Sequence, residues 1–197
     1  MKYVFTCTLA ALALCLTGCF AVPPMTFTID VDSGQTFGPG ALIPAGTAVE
    51  DYELVTSDFI GIGQLFDIAR QRLGSQLFAF VDIDQVELLE TIVTATRGNF
   101  DTLKEVRFDL RVAGSAGEFN TSLGSVQSDT GLGTQFVLVP EEPVDLLFAL
   151  NPGAQTPPPA VTQFAATVSG AMPAQPVTFD TAARLRVTVS LALFKRR

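Results

Sequence analysis

The chain contains no histidine and no tryptophan, and its three cysteines, Cys7, Cys15 and Cys19, all fall within the first nineteen of its 197 residues. Without histidine there is no Ser-His-Asp or Cys-His catalysis, no imidazole ligand for zinc and no near-neutral proton shuttle. Beyond Cys19 no thiol remains for a disulfide, a redox couple or a cysteine nucleophile, so stability there must come from packing. Lysine is scarce as well. A Ser-Lys dyad would have to use Lys104, which borders a well-patterned strand, or Lys195 in the tail. Neither has a desolvating context.

The last basic residues, Lys195-Arg196-Arg197, form the one cationic run and read as a solvated tail. If the first eighteen residues are removed, Lys2 goes with them, leaving eleven basic against twenty acidic residues and a formal charge of −9. Such a chain, with no basic stripe interleaved with aromatics, is not built for nucleic acid. A transmembrane β-barrel is also poorly supplied, because its aromatic girdles draw on Trp and Tyr, and Tyr52 is the sole tyrosine past the leader.

What the sequence does contain is a short apolar leader with a defined end. Lys2 is a minimal charged region and Val4 to Leu16 an apolar run, too short for a membrane span and suited to a signal peptide. Leu16-Thr17-Gly18-Cys19 follows, with Thr17 and Gly18 small enough for a signal peptidase groove. Cys15 follows the bulky Leu14, and Cys7 has no apolar region before it. These four residues, in that position, resemble the lipobox of bacterial lipoproteins. The resemblance implies that the Cys19 thiol receives a diacylglyceryl group, that the leader 1–18 is cut away, and that the new amino terminus is acylated. Phe20 stands where related lipoproteins carry Asp as an inner-membrane retention signal, which implies the outer membrane of a Gram-negative cell. Residues 19–24 would then be a lipidated terminus with a short tether, and 25–197 a single domain, since the 179 residues left once the leader is removed suit one sizeable core.

Along that domain the apolar period is mostly two. Met25 to Asp32 alternates, Val49 to Val55 is a second strand, and Leu77 onward alternates through Phe78, Phe80 and Ile83, followed by Val86 to Thr96. Glu105 to Val112 is the clearest strand, with Glu105, Arg107, Asp109 and Arg111 on a solvated outer face. Gly38 to Gly46, Gly114 to Gly117, Gly124 to Gly133 and Asn151 to Pro159 read as loops. Strands are expected at Gln135–Val139, Val144–Leu150, Val161–Ser169, Pro176–Phe179 and Ala183–Phe194. Gln64 to Leu73 differs, with Leu65, Ala69 and Leu73 at helical spacing and Gly74 as a C-cap. The pattern predicts an antiparallel β-sandwich, immunoglobulin-like or jelly-roll in style, of eight or nine strands with one short helix.

The chemistry that remains is carried by carboxylates. Asp30 with Asp32, or Asp82 with Asp84, would stand about 7 Å apart on one strand face, a possible acid/base pair. Together with Glu50, Asp51 and Glu53 they also offer oxygen ligands for calcium, although Asp30 to Gly34 lacks the spacing of a calcium loop. Solvated faces and turns explain the same residues without a ligand. Sixteen phenylalanines suit core packing, and an apolar cleft lined by Phe59, Phe66, Phe78 and Phe80 is the lipid-binding alternative. The leading expectation is a non-enzymatic, membrane-anchored envelope lipoprotein that serves as a binding or structural module. It uses no cofactor or metal and has an unknown protein or lipid partner. A lipid-binding lipoprotein and a carboxylate- or calcium-dependent enzyme are the alternatives.

Overall fold

A computed structural model describes residues 23–31, 41–46, 49–56, 62–74, 81–114, 117–151 and 161–191. Along the chain these form β1 (Met25–Val31), β2 (Ala41–Ile43), β3 (Val49–Thr56), α1 (Ile62–Leu73), β4 (Val81–Arg97), β5 (Leu103–Gly114) and β6 (Gly117–Gln127). They continue with β7 (Gln135–Leu138), β8 (Val144–Asp145), α2 (Leu146–Leu150), β9 (Val161–Gly170) and β10 (Val177–Leu191). All the strand pairings are antiparallel.

One sheet has the order β1-β10-β4-β7, with β2 also on β10 and β8 also on β4; the other is β3-β9-β5-β6. When β1 and β2 are counted as one position and β7 and β8 as another, eight positions remain, in the orders 1-8-3-6 and 2-7-4-5. The chain therefore crosses from one sheet to the other at β2–β3, β3–β4, β4–β5, β6–β7, β8–β9 and β9–β10. This is the interleaved order of a double-sheet jelly roll, and it decides between the two styles of sandwich that alternation alone left open.

The inner faces supply the core. In β10, Val177, Phe179, Ala183, Leu185, Val187 and Val189 are buried, and Phe108 of β5 meets Phe164 of β9 edge-to-face at 4.4 Å. Leu65 and Ile68 of α1 join the same core.

Several local expectations change. The strands expected at 176–179 and 183–194 are one, because β4 pairs with β10 from Thr178–Arg97 to Leu191–Val81 and carries the polar Asp180-Thr181 through. Breaks in register beside Leu185 and Val189 act as bulges. They let Ile83, Val86, Leu88 and Thr91 follow one another inward at uneven spacing, and that unevenness hides the continuity of β4 in a period-two reading. β2 lies in a stretch read as loop, and β6 in a segment with few apolar residues. β5 templates β6 by pairing along its length, from Glu105–Gln127 to Gly114–Gly117.

The strand expected over Val144–Leu150 stops at Asp145 and becomes α2. The Asp145 side chain accepts the Leu147 N–H at 3.0 Å, capping the helix, and the Val86 N–H at 3.3 Å. Leu-Leu-Phe-Ala-Leu then has no β-branched residue to oppose a helical turn. Ten strands and two helices are thus present among the described residues.

The pairings also define two ends. Met25 of β1 lies opposite Val189 near the finish of β10, and Val81 of β4 opposite Leu191. The amino terminus, the finish of β10, the long β3–β4 connection that carries α1, and the β5–β6 turn therefore share one end. β8 runs antiparallel to β4 and so heads towards this end, with α2 following it. The short turns after β4, β6 and β9 share the other.

Candidate functional site

The outer face of the β3-β9-β5-β6 sheet presents a row of polar side chains beside which two hollows open. Alternation along β5 turns Glu105, Arg107, Asp109 and Arg111 away from Val106, Phe108, Leu110 and Val112, which are buried. The neighbouring strands place Gln163, Ala165, Thr167 and Ser169 of β9 on one side of this row, and Asn120, Ser122, Ser125 and Gln127 of β6 on the other. Arg107 Nε donates to Asp109 Oδ2 at 3.0 Å, and Arg111 Nη1 donates to Glu53 Oε1. The Glu53 hydrogen bond is the main cause that raises the Arg111 pKa above its ordinary value.

Two hollows open on this face. One, of about 240 Å³, is lined by Glu53, Glu105, Arg107, Arg111, Thr167 and Ser169. The other, of about 510 Å³, lies towards the β5–β6 turn and is lined by Arg111, Glu118, Asn120 and Gln163 with Val112, Ala113 and Phe119. Arg111 stands between the two hollows. The surface offers fixed donors and acceptors, with each arginine already neutralised by a carboxylate. Asp109 departs from the expectation of a solvated face, since it is only 3% exposed. Its cross-strand neighbour is the small Ala165, and Arg107 lies over it. The signal is a small residue on a different strand, which the pattern of β5 does not contain.

The carboxylates singled out in the sequence do not form one cluster among the described residues. Asp30 of β1 accepts from Arg184 Nε at 3.0 Å, and the same guanidinium reaches Glu90 at 2.8 Å. The Asp30 hydrogen bond, followed by the Glu90 charge, raises the Arg184 pKa. Asp84 accepts from Ser190 Oγ at 3.0 Å, and Asp82 pairs in register with Ser190. Arg184 and Ser190 are six residues apart on β10, so Asp30 and the Asp82–Asp84 pair are separated by about 20 Å. Asp32 lies outside the described residues. Glu50 and Asp51 belong to β3, and Glu53 is engaged with Arg111. No group of three Asp, Glu, Cys or His able to hold a metal ion occurs among the described residues.

Of the cleft residues, Phe59, Phe78 and Phe80 lie outside the described residues, as do Cys19 and Lys195. Lys104 is exposed at the start of β5. In α1, Leu65, Ile68 and Ala69 are buried, whereas Phe66 is 37% exposed. The apolar stripe of the helix therefore faces the core.

No family profile and no curated sequence matches the chain. Among solved structures, the 60-mer BFDV capsid protein is similar over 88% of this chain and 97% of its own, at 10% identity and a TM-score of 0.39. A structure of infectious bursal disease virus, Gx strain, is similar over 86% of this chain, which spans 33% of that one, at 11% identity and a TM-score of 0.35. A structure titled "CBM4 structure and function" is similar over 77% of this chain and 89% of its own, at 18% identity and a TM-score of 0.25. The jelly-roll assignment stands on strand order, independently of these likenesses.

Proposed function

We propose that the protein is a non-enzymatic lipoprotein of the cell envelope, tethered through acylated Cys19 to the outer membrane of a Gram-negative bacterium. Its jelly roll serves there as a binding or structural module. The observation that carries this reading is Leu16-Thr17-Gly18-Cys19 at the end of a short apolar leader. The fold is compatible with it, because β1, the first described strand, begins at Met25 on the edge of its sheet. A binding role draws support from the paired charges and hollows around Arg111. A non-enzymatic role draws support from a chain without histidine and with no cysteine after residue 19.

Two or three acyl chains anchor stably where one binds only reversibly. Cys19→Ser is therefore expected to abolish incorporation of labelled fatty acid and to release the protein from the membrane fraction. A wild-type protein that never takes up fatty acid, together with a Cys19→Ser variant that stays in the membrane with unchanged mobility, would overturn the reading.

A further inference from the structure

Six large apolar side chains are exposed among the described residues: Met25, Leu42, Phe66, Val137, Val139 and Phe148. They are not distributed evenly. Met25 opens β1. Phe66 lies on α1, inside a connection whose flanking residues, Thr56 and Val81, both sit at the end of the sandwich where the chain begins. Phe148 lies on α2, which follows β8 towards the same end. It is 65% exposed and stands opposite the buried Leu146, Ala149 and Leu150.

We propose that this end of the jelly roll is a membrane-docking face, with Phe148, Met25 and Phe66 seated at the boundary between lipid headgroups and acyl chains. The proposal rests on the lipoprotein reading, because the tether selects the occupant. Five residues, Phe20 to Pro24, separate Cys19 from Met25, and at about 3.3 Å per residue the anchor lies within roughly 20 Å of β1. A surface held that close meets lipid before it meets any soluble partner. Three apolar side chains alone would bind a bilayer weakly, but a short tether turns that contact into an intramolecular one, at an effective concentration on the order of millimolar.

Electrostatics do not drive the contact. Asp82 and Asp84 lie exposed near the start of β4 at this end and Arg70 is exposed on α1, so the described charges are of both signs and do not make a basic face. The contact is apolar, shallow and insensitive to salt, as an interfacial helix face is when it sits about 5–10 Å deep. Leu42 provides the contrast. It pairs with Thr178 while Met25 pairs with Val189, which places it about 36 Å away along β10.

The absence of tryptophan makes the test clean. Phe148→Trp and Leu42→Trp each introduce a single fluorophore at an exposed site. Both acylated proteins are reconstituted into phosphatidylcholine vesicles containing brominated acyl chains, with acylation verified by fatty-acid labelling. Trp emission is expected to fall at least about twofold at position 148, with little change at 42 and no dependence on salt. Equal quenching at the two positions in labelled protein would overturn the docking face and leave the lipoprotein reading intact. Absence of labelling, with neither position quenched, would remove both.

Discussion

The two ends of the sandwich are built on opposite principles. At the far end the connections are short and tied to one another. Phe100 N–H donates to Gly133 O at 2.6 Å, Leu132 N–H donates to Phe100 O at 3.2 Å, and Ala171 N–H donates to Thr102 O at 3.1 Å. Gly131 has a φ of +94°, and a Cβ there would come within 2.0 Å of the Asp101 carbonyl oxygen, so only glycine lets the two turns approach. At the end where the chain begins, β3 and β4 are joined by 24 residues carrying α1, and α2 follows β8. Tight turns with cross-linked backbones hold the two sheets together. Long connections with helices leave side chains available for contact. The region that fixes the fold and the end proposed to meet the membrane are therefore separate, so each can be altered alone.

The largest effect is expected at Phe100, where the far-end turns meet. Its ring is fully buried and meets Phe136 edge-to-face at 5.1 Å and Phe179 at 6.1 Å. Phe100→Ala leaves a cavity among aromatic neighbours and is expected to cost about 3–5 kcal/mol, measured by urea unfolding. A loss below about 1 kcal/mol would show that the far end is not the clamp. At the opposite end, Leu65→Ala is expected to cost about 2 kcal/mol, the lower edge of its class, because a helix within a long connection can relax into the vacated space. A cost equal to that of Phe100→Ala would erase the distinction between the ends.

Legibility followed a different division, between local pattern and contact across the fold. Strands whose own residues alternate, such as β1, β5 and the second half of β10, were readable because burial of one face dictates period two. The inward stripe of α1 was readable for the same reason at period 3.6. β6 was not, because its residues carry little apolar signal and its pairing is imposed by β5. The switch from β8 to α2 depends on Asp145 bonding to Val86, a contact of 59 residues' separation. The clamp at Phe100 depends on three turns meeting. Among site residues, Cys19 could be singled out because a leader is a linear signal. The surface around Arg111 could not, since Glu53, Thr167 and Asp109 come from three strands, and only register brings them together.

The smallest effect is expected on the outer face. Arg111 bonds to Glu53, and both side chains are more than a third exposed, so solvent screening and side-chain entropy absorb most of the attraction. Arg111→Ala is expected to lower stability by no more than about 0.5 kcal/mol. Because the folded-state pKa of Arg111 is raised, the stabilisation linked to its protonation is complete at every pH below the ordinary guanidinium value. It is lost only as pH rises through the raised value, in strong alkali. The coupling energy in a double-mutant cycle with Glu53→Ala should therefore be small and should shrink further with added salt. A coupling above about 2 kcal/mol would mean that this pair is structural. A small value makes Arg111→Ala a folded reagent, suited to asking whether the hollows beside it take a ligand.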